Sequence, residues 1–150
     1  MKSSTFIMLK PDAIDRQLDQ TIIRIFEEEG FEIVRKKAVI VNEKLIVKHY
    51  EEVIEKVNQA YFKEAILKTF VDKTVIIMEI QKDSEDVIKE VRDLCGVTDP
   101  VKADPQSIRG RFKDDSLAVA MSEKRTLRNL IHASDSKENA IIEMNLWFNS

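Results

Sequence analysis

Glycine is scarce in this chain of 150 residues, with Gly30, Gly96 and Gly110 as its three copies. Three scattered glycines cannot form a glycine-rich loop. Their scarcity excludes the P-loop and the Rossmann fingerprint, because both need glycines where the backbone approaches a phosphate group. If the protein binds phosphate, side chains must therefore provide most of the contacts.

Cysteine, long apolar runs and an excess of one charge are also missing. The single cysteine, Cys95, excludes an internal disulfide. No apolar run approaches the ~18–20 residues of a membrane span. Lys10 interrupts the first apolar run, so we expect no signal peptide, no membrane partner and a cytoplasmic location. The net charge of −3 argues against a dedicated nucleic-acid partner.

What the chain does contain is typical of a globular protein, with 43% hydrophobic and 34% charged residues. A length of 150 residues favours a single domain that spans residues 1–150.

Strand-like and helix-like segments alternate along this domain, and we expect Asp19, Asn42 and Ser136 to cap helices. The predicted strands are Thr5–Leu9, Phe31–Val41, Val75–Ile80 and Asn129–His132. The predicted helices are Asp19–Glu29, Asn42–Val53, Asn58–Phe70, Ser84–Cys95 and Lys137–Phe148, with a polar excursion over Val97–Asp115. Irregular spacing of the strands favours an α+β fold, a ferredoxin-like βαββαβ sandwich. Its antiparallel four-stranded sheet would be covered by helices packed on one face.

The two histidines, His49 and His132, differ in their surroundings. His49 lies in a charged helical stretch, for which a structural role suffices. His132 ends an apolar strand and precedes a polar turn into a helix, whose free N–H groups favour an anion nearby. A neutral imidazole is a competent nucleophile toward phosphorus, and Glu143 in that helix can accept a hydrogen bond from its other nitrogen. A capping histidine at the turn is the alternative.

Basic side chains that can bind phosphate are concentrated late in the chain. Arg109 precedes a glycine in a loop, and the arginine fork matches the geometry of a phosphate. Lys10 follows the first strand, where it points either into a cleft or into solvent. We interpret Lys124 and Arg125 as a solvated basic face.

Tyr61 and Phe62 are neighbours in a predicted helix. Adjacent positions on a helix diverge, so one of the two rings must face away from the core. An outward ring near phosphate ligands can stack on a nucleobase. Together with the basic residues, this pattern indicates phosphate chemistry without specifying a reaction.

Several separated motifs carry a more specific signal, because in this order they resemble nucleoside diphosphate kinases. The similarity runs from Thr5 to Phe148, nearly the whole chain. The motif around His132 is similar to the active-site histidine signature of that family. The matching segments are Thr5–Asp12, Ser107–Gly110, Arg128–Ser136 and Ile142–Phe148.

The resemblance implies a phosphotransferase with broad base specificity. His132 would accept the γ-phosphoryl group of a nucleoside triphosphate and pass it to a nucleoside diphosphate in a ping-pong cycle. Glu143, Ser134 and Lys10 would support this catalysis. Mg²⁺ would arrive with the nucleotide, held by phosphates and water and not by protein ligands. The implied nucleotide-binding residues are Lys10, Tyr50, Tyr61, Arg92, Thr98, Arg109 and Asn129.

The sequence departs from the family pattern in four places. Ala13 and Ala133 replace glycines, and a methyl group at Ala133 must avoid a positive φ. Residues 113–124 form an insertion for which we expect a hairpin or a helical turn. The chain ends at Ser150, where many members of the family continue. The resemblance implies a homo-oligomer built from dimers, either a tetramer or a hexamer.

Two other function classes compete with an active enzyme. One is a catalytically inactive nucleotide-binding or scaffolding relative, but such a protein would be expected to lack some of the implied site residues. The other is a ferredoxin-like nucleic-acid-binding module, which needs exposed aromatic residues on central strands and a basic surface. The predicted strands and the negative charge offer neither feature.

Overall fold

The computed structural model describes residues 2–150, so Met1 of the predicted domain lies outside the described residues. The strands are β1 (Lys2–Leu9), β2 (Glu32–Ile40), β3 (Thr74–Asp83) and β4 (Ile131–Ala133). The helices are α1 (Pro11–Asp15), α2 (Asp19–Glu28), α3 (Glu43–His49), α4 (Glu51–Val57), α5 (Ala60–Phe70), α6 (Val87–Cys95), α7 (Ile108–Arg111), α8 (Leu117–Ser122) and α9 (Lys137–Phe148), and a 3-10 turn covers Pro100–Lys102. Within residues 2–150, every helix falls short of the length and hydrophobicity that a membrane span requires.

The four strands form one antiparallel sheet in the order β2-β3-β1-β4, which confirms the predicted sheet. Strand β1 lies inside the sheet between β3 and β4. Its Met8 pairs with His132 of the short edge strand β4. The candidate nucleophile is therefore attached to the most buried strand of the fold.

Helices cover both faces of the sheet at its central strands β1 and β3, so the expectation of helices on one face is wrong. Phe6 and Met8 of β1 join a core with α3, α5 and α9. Ile7 and Leu9 join a second core with α2 and α6. Successive side chains of a strand point to opposite faces. A continuous apolar run such as Thr5–Leu9 is therefore typical of a strand covered on both sides.

Most helix ends agree with the expected caps. The side chains of Asn42 and Ser136 each accept a hydrogen bond from the backbone N–H three residues later, at 2.8 and 3.1 Å. Gly30 follows α2 with a φ of +93°, a conformation that glycine adopts at little cost. The expected cap at Asp19 is wrong, since α2 begins at Asp19 and Leu18 occupies the cap position.

The helical region after β2 is divided differently from the prediction. The helix expected to reach Val53 ends at His49, and α4 follows after Tyr50. Asn58 then adopts a left-handed φ of +48°, so α5 begins at Ala60. The break places Tyr50 at the junction of two short helices.

Residues 113–124, which the family resemblance marks as an insertion, contain helix α8, so the expected helical turn is confirmed. Asp115 closes its base, because the carboxylate accepts two hydrogen bonds from Arg125 at 2.7 and 2.8 Å. The Asp115 side chain is only 1% exposed. The interpretation of Arg125 as part of a solvated face is therefore wrong.

Candidate active site

An unusual turn presents His132 at the edge of the sheet. Leu130 has a left-handed φ of +73°, which is uncommon for a residue other than glycine. Its N–H donates to Asp12 Oδ2 at 3.1 Å, and its carbonyl accepts from the Lys10 N–H at 2.9 Å. The turn that follows β1 therefore fixes the backbone just before His132.

Glu143 holds one nitrogen of the His132 ring. Nε2 of His132 lies 2.8 Å from Glu143 Oε2, and the Ser134 hydroxyl donates to the other carboxylate oxygen. Burial alone would raise the pKa of Glu143, but the hydrogen bonds from His132 and Ser134 outweigh it and lower that pKa. A carboxylate acceptor places the proton of a neutral imidazole on Nε2 and leaves the lone pair on Nδ1. Within residues 2–150, Nδ1 has no hydrogen-bonding partner.

Two residues that the sequence reasoning did not assign to the site, His49 and Trp147, complete the surroundings of His132. The His49 side chain is 1% exposed, and its ring meets that of His132 edge to face with centroids 4.7 Å apart. The indole N–H of Trp147 donates to His49 Nδ1 at 3.0 Å. Burial, together with the nearby His132, lowers the pKa of His49 to about 3. The only sequence signal for His49 was its position beside Tyr50.

Lys10, Asn129 and Thr98 form a polar bridge beside β4. Nζ of Lys10 donates to Asn129 Oδ1 at 2.7 Å, and the Asn129 amide donates to the Thr98 carbonyl at 3.0 Å. Burial, reinforced by Arg109, lowers the pKa of Lys10 to about 8. The remaining N–H groups of the ammonium can bind an anion in front of the bridge.

Two arginines support the backbone next to His132. Arg109 in α7 donates to the Gly96 carbonyl at 2.9 Å and to two carbonyls within residues 129–131. Arg92 in α6 donates to the Ala133 carbonyl at 3.2 Å. Both guanidinium groups therefore lie beside β4 and bring positive charge to it.

The two predicted tyrosines differ in their relation to this cluster. The Tyr50 ring packs edge-on against His49 with centroids 4.7 Å apart, and burial raises its pKa. Tyr61 lies in the first turn of α5, where its neighbour Phe62 packs against the core, as helical spacing predicts. Among the described residues, no hydrogen bond or ring contact joins Tyr61 to the other predicted site residues, most of which lie around β4.

The two alanines at positions of family glycines fit without strain. Neither Ala13 nor Ala133 has a positive φ. Ala13 is buried in α1, and Ala133 pairs with Ile7 in the sheet. The left-handed conformation near the histidine is adopted by Leu130.

A metal ion does not suit the nitrogen and oxygen atoms around His132. His49, His132 and Glu143 each offer a ligand atom, and these atoms lie within 4.8 Å of one another. However, His49 Nδ1 accepts from Trp147, and His132 Nε2 is bonded to Glu143. A bound metal would have to displace both hydrogen bonds, so we assign none to these side chains.

The cluster is equipped for attack on phosphorus. It presents an imidazole nitrogen with a free lone pair next to one lysine and two arginines. Phosphoryl transfer depends mainly on positioning and on stabilising negative charge. The geometry therefore supports phosphoryl transfer better than acid–base chemistry alone.

Comparisons with known proteins agree with this chemistry. A family model described as nucleoside diphosphate kinase matches residues 3–150. A nucleoside diphosphate kinase of Methanocaldococcus jannaschii is 39% identical over 148 residues, which cover 99% of this chain and 94% of that protein.

Solved structures show the same similarity. A transition state mimic of nucleoside-diphosphate kinase from Borrelia burgdorferi, with bound vanadate and ADP, superposes with a TM-score of 0.89 at 30% identity, covering 98% of this chain and 87% of that one. An NDP kinase from Pyrobaculum aerophilum superposes with a TM-score of 0.85 at 27% identity, covering 99% and 96% of the two chains. Both likenesses extend over nearly the whole chain, and they confirm the predicted α+β fold.

Proposed function

The chain belongs to the nucleoside diphosphate kinase family, and from that premise we propose that it moves a γ-phosphoryl group between nucleotides through a phosphohistidine on His132. Membership of the family makes it a phosphotransferase that acts on nucleoside di- and triphosphates. The proposal adds the ping-pong route, the residues that carry it and broad base specificity. It is supported most directly by the hydrogen bond between His132 Nε2 and Glu143, because this bond leaves Nδ1 free to attack.

Each half of the cycle forms one bond and breaks another. First, Nδ1 of His132 bonds to the γ-phosphorus as the bond to the bridging oxygen breaks, and the nucleoside diphosphate leaves. Then a terminal phosphate oxygen of a second nucleoside diphosphate attacks that phosphorus, and the N–P bond breaks. Throughout, the proton stays on Nε2, where Glu143 stabilises the positive charge of the substituted ring.

The residues around the histidine bind and orient the phosphates and the sugar. We assign phosphate or sugar contacts to Lys10, Tyr50 and Thr98, and also to Arg92 and Arg109. Asn129 would hydrogen-bond the ribose, and Ser134 would support the phosphorylated histidine through Glu143. Lys10 and the arginines supply the positive charge that the equatorial oxygens need in the transition state.

Base specificity would be broad, because stacking on an aromatic ring discriminates poorly between different bases. We propose that the base stacks on Tyr61, whose neighbour Phe62 faces the core. Every base has a π-face, so a stacking platform accepts purines and pyrimidines alike.

Mg²⁺ would enter with the nucleotide. Two carboxylates near the site already have hydrogen-bonding partners. Glu143 bonds to His132 and Ser134, and Asp12 accepts from the Leu130 N–H. These residues therefore fit an ion held by phosphates and water. When bound, the ion neutralises part of the phosphate charge.

We also propose a cytoplasmic location and a homo-oligomer, a tetramer or a hexamer built from dimers. The large apolar side chains of Ile40, Ile141 and Ile142 are exposed in the single chain, and an assembly could bury them against a neighbouring copy.

The decisive experiment is to incubate the protein with γ-labelled ATP and Mg²⁺ in the absence of an acceptor. The expected product is labelled protein whose label is labile in acid, stable in base and discharged by added GDP. His132→Ala is the matched control and should remain unlabelled.

Two outcomes contradict the mechanism: a wild-type protein that is never labelled, or a label that persists in His132→Ala. Nucleotide binding without labelling would identify the inactive relative instead.

A further inference from the structure

We propose that the hydrogen bond from Trp147 to His49 fixes the tautomer of His49 and thereby reserves Glu143 for His132. His49 and Trp147 are positioning residues in this scheme, because they act through Glu143 and form no bond to the phosphoryl group. The inference rests on the proposed function in one respect, since it takes His132 as the nucleophile.

The tautomer of His49 follows from the chemistry of its partner. An indole N–H can only donate a hydrogen bond. Because it donates to His49 Nδ1 at 3.0 Å, that nitrogen must carry the lone pair. The ring proton of neutral His49 is therefore on Nε2.

This tautomer determines which side chains can donate a hydrogen bond to Glu143. His49 Nδ1 lies 3.4 Å from Glu143 Oε2. With a lone pair on that nitrogen and lone pairs on the oxygen, no proton is available between them. Oε2 therefore bonds only to His132, while Oε1 accepts from Ser134. A proton on Nδ1 would make His49 a second donor to the same oxygen, and the carboxylate would be shared between two histidines.

The surroundings of His49 keep it neutral as well. Its side chain is 1% exposed. The groups that face it are His132 on β4, Glu143 on α9, Lys10 after β1 and the neighbouring Tyr50. Burial, His132 and Lys10 lower the pKa of His49, and only Glu143 raises it. The choice between neutral tautomers is therefore left to Trp147.

The tautomer can be observed directly in the wild-type protein. In ¹⁵N-histidine-labelled protein, NMR should find the unprotonated nitrogen of His49 at Nδ1 and the protonated one at Nε2 from pH 6 to about 8. The signals are assigned by comparison with His49→Leu. Because this measurement needs no phosphorylation, it separates failure of the inference from failure of the phosphohistidine mechanism.

A pair of variants tests the consequence for catalysis. Trp147→Phe removes the donor and lets His49 switch tautomer and bond Glu143. We expect phosphorylation of His132 at saturating ATP to slow about 10-fold, with the Kd for ADP unchanged. Adding His49→Leu removes the competing donor, so the double variant should be faster than Trp147→Phe alone.

A role in packing alone predicts the opposite order, because a second buried truncation adds to the damage of the first. Phe26→Leu, in the core on the other face of the sheet, is the control for lost stability and should lower Tm without slowing phosphorylation. A proton on Nδ1 of wild-type His49, or a double variant no faster than Trp147→Phe, would overturn the inference.

Discussion

Among single residues, Lys10 is a lysine whose burial brings the loss of its charge close to physiological pH. Its pKa is lowered to about 8, by burial first and by Arg109 second. The ammonium form therefore predominates well below pH 8 and is lost as the pH rises through that value. If the phosphates bind the charged form, as proposed, kcat/KM for nucleoside diphosphates should fall above about pH 8.

Lys10→Arg is the matched variant for this prediction. A guanidinium group stays charged at every pH in question, so the decline near pH 8 should disappear even if the overall rate is lower. The measurement is a pH profile of kcat/KM for both proteins. A flat wild-type profile up to pH 10, or a decline that persists in Lys10→Arg, would show that another group is responsible.

The two histidines show which site residues the local sequence can predict and which it cannot. His132 could be singled out because its neighbours, an apolar strand and a polar helix start, are local in sequence. His49 could not, because its own segment is charged and helical and says nothing about burial. Its contacts with His132 and Trp147 exist only after α3, β4 and α9 have packed on the sheet.

At the scale of elements, the segment of residues 113–124 is anchored by the ion pair between Asp115 and Arg125. Asp115 accepts two hydrogen bonds from the Arg125 side chain and one from the Arg128 N–H. Burial opposes ionisation of Asp115, but these hydrogen bonds prevail and lower its pKa to about 2. The contribution of the pair to stability is present above the unfolded pKa, near 4, and is lost as the pH falls through about 2.

We expect Arg125→Ala to lower the free energy of unfolding by about 2 kcal/mol at pH 7, because it leaves a buried carboxylate without its main partner. Urea denaturation measures this change. Glu123→Ala, which removes only the exposed partner of Arg125, should cost less than about 1 kcal/mol. Equal effects of the two substitutions would contradict the assignment of Asp115 as the anchor.

Helices and strands were predictable where the residues that determine them lie within a few positions of one another. The caps at Asn42 and Ser136 and the full extent of α9 follow from local chemistry. The division of the helical region at Tyr50 does not, because packing of its ring against His49 and Phe70 accompanies the break. The continuous apolar run of β1 already indicated a strand covered on both sides, although helices on one face of the sheet were the expectation.

For the whole molecule, exposed apolar side chains favour assembly. Ile141 and Ile142 on α9 are each 59% exposed, and Ile40 at the end of β2 is 71% exposed. Light scattering after gel filtration should give a mass of four or six chains. The single domain over residues 1–150 stays a prediction, independent of this measurement.

Charges placed on α9 test which surface takes part. The double substitution Ile141→Glu and Ile142→Glu should shift the mass toward smaller species, because burying a carboxylate in an apolar contact is unfavourable. Asn145→Glu adds a negative charge at an exposed polar position of the same helix and should leave the mass unchanged. A monomeric wild-type protein would contradict the proposed assembly.

The sequence by itself determined which side chains are available for chemistry and where the four strands and most of the longer helices lie. Those properties depend on residue type and on neighbours a few positions away, so the motifs around Lys10, Arg109 and His132 could be recognised in the chain. Tertiary structure decided how these residues meet. The strand order β2-β3-β1-β4 brings β4 beside β1, and packing of α3 and α9 on the same face of the sheet brings His49 to Trp147 and Glu143. Such contacts join residues far apart in the chain, and their geometry is set by the pairing of strands and the burial of helices.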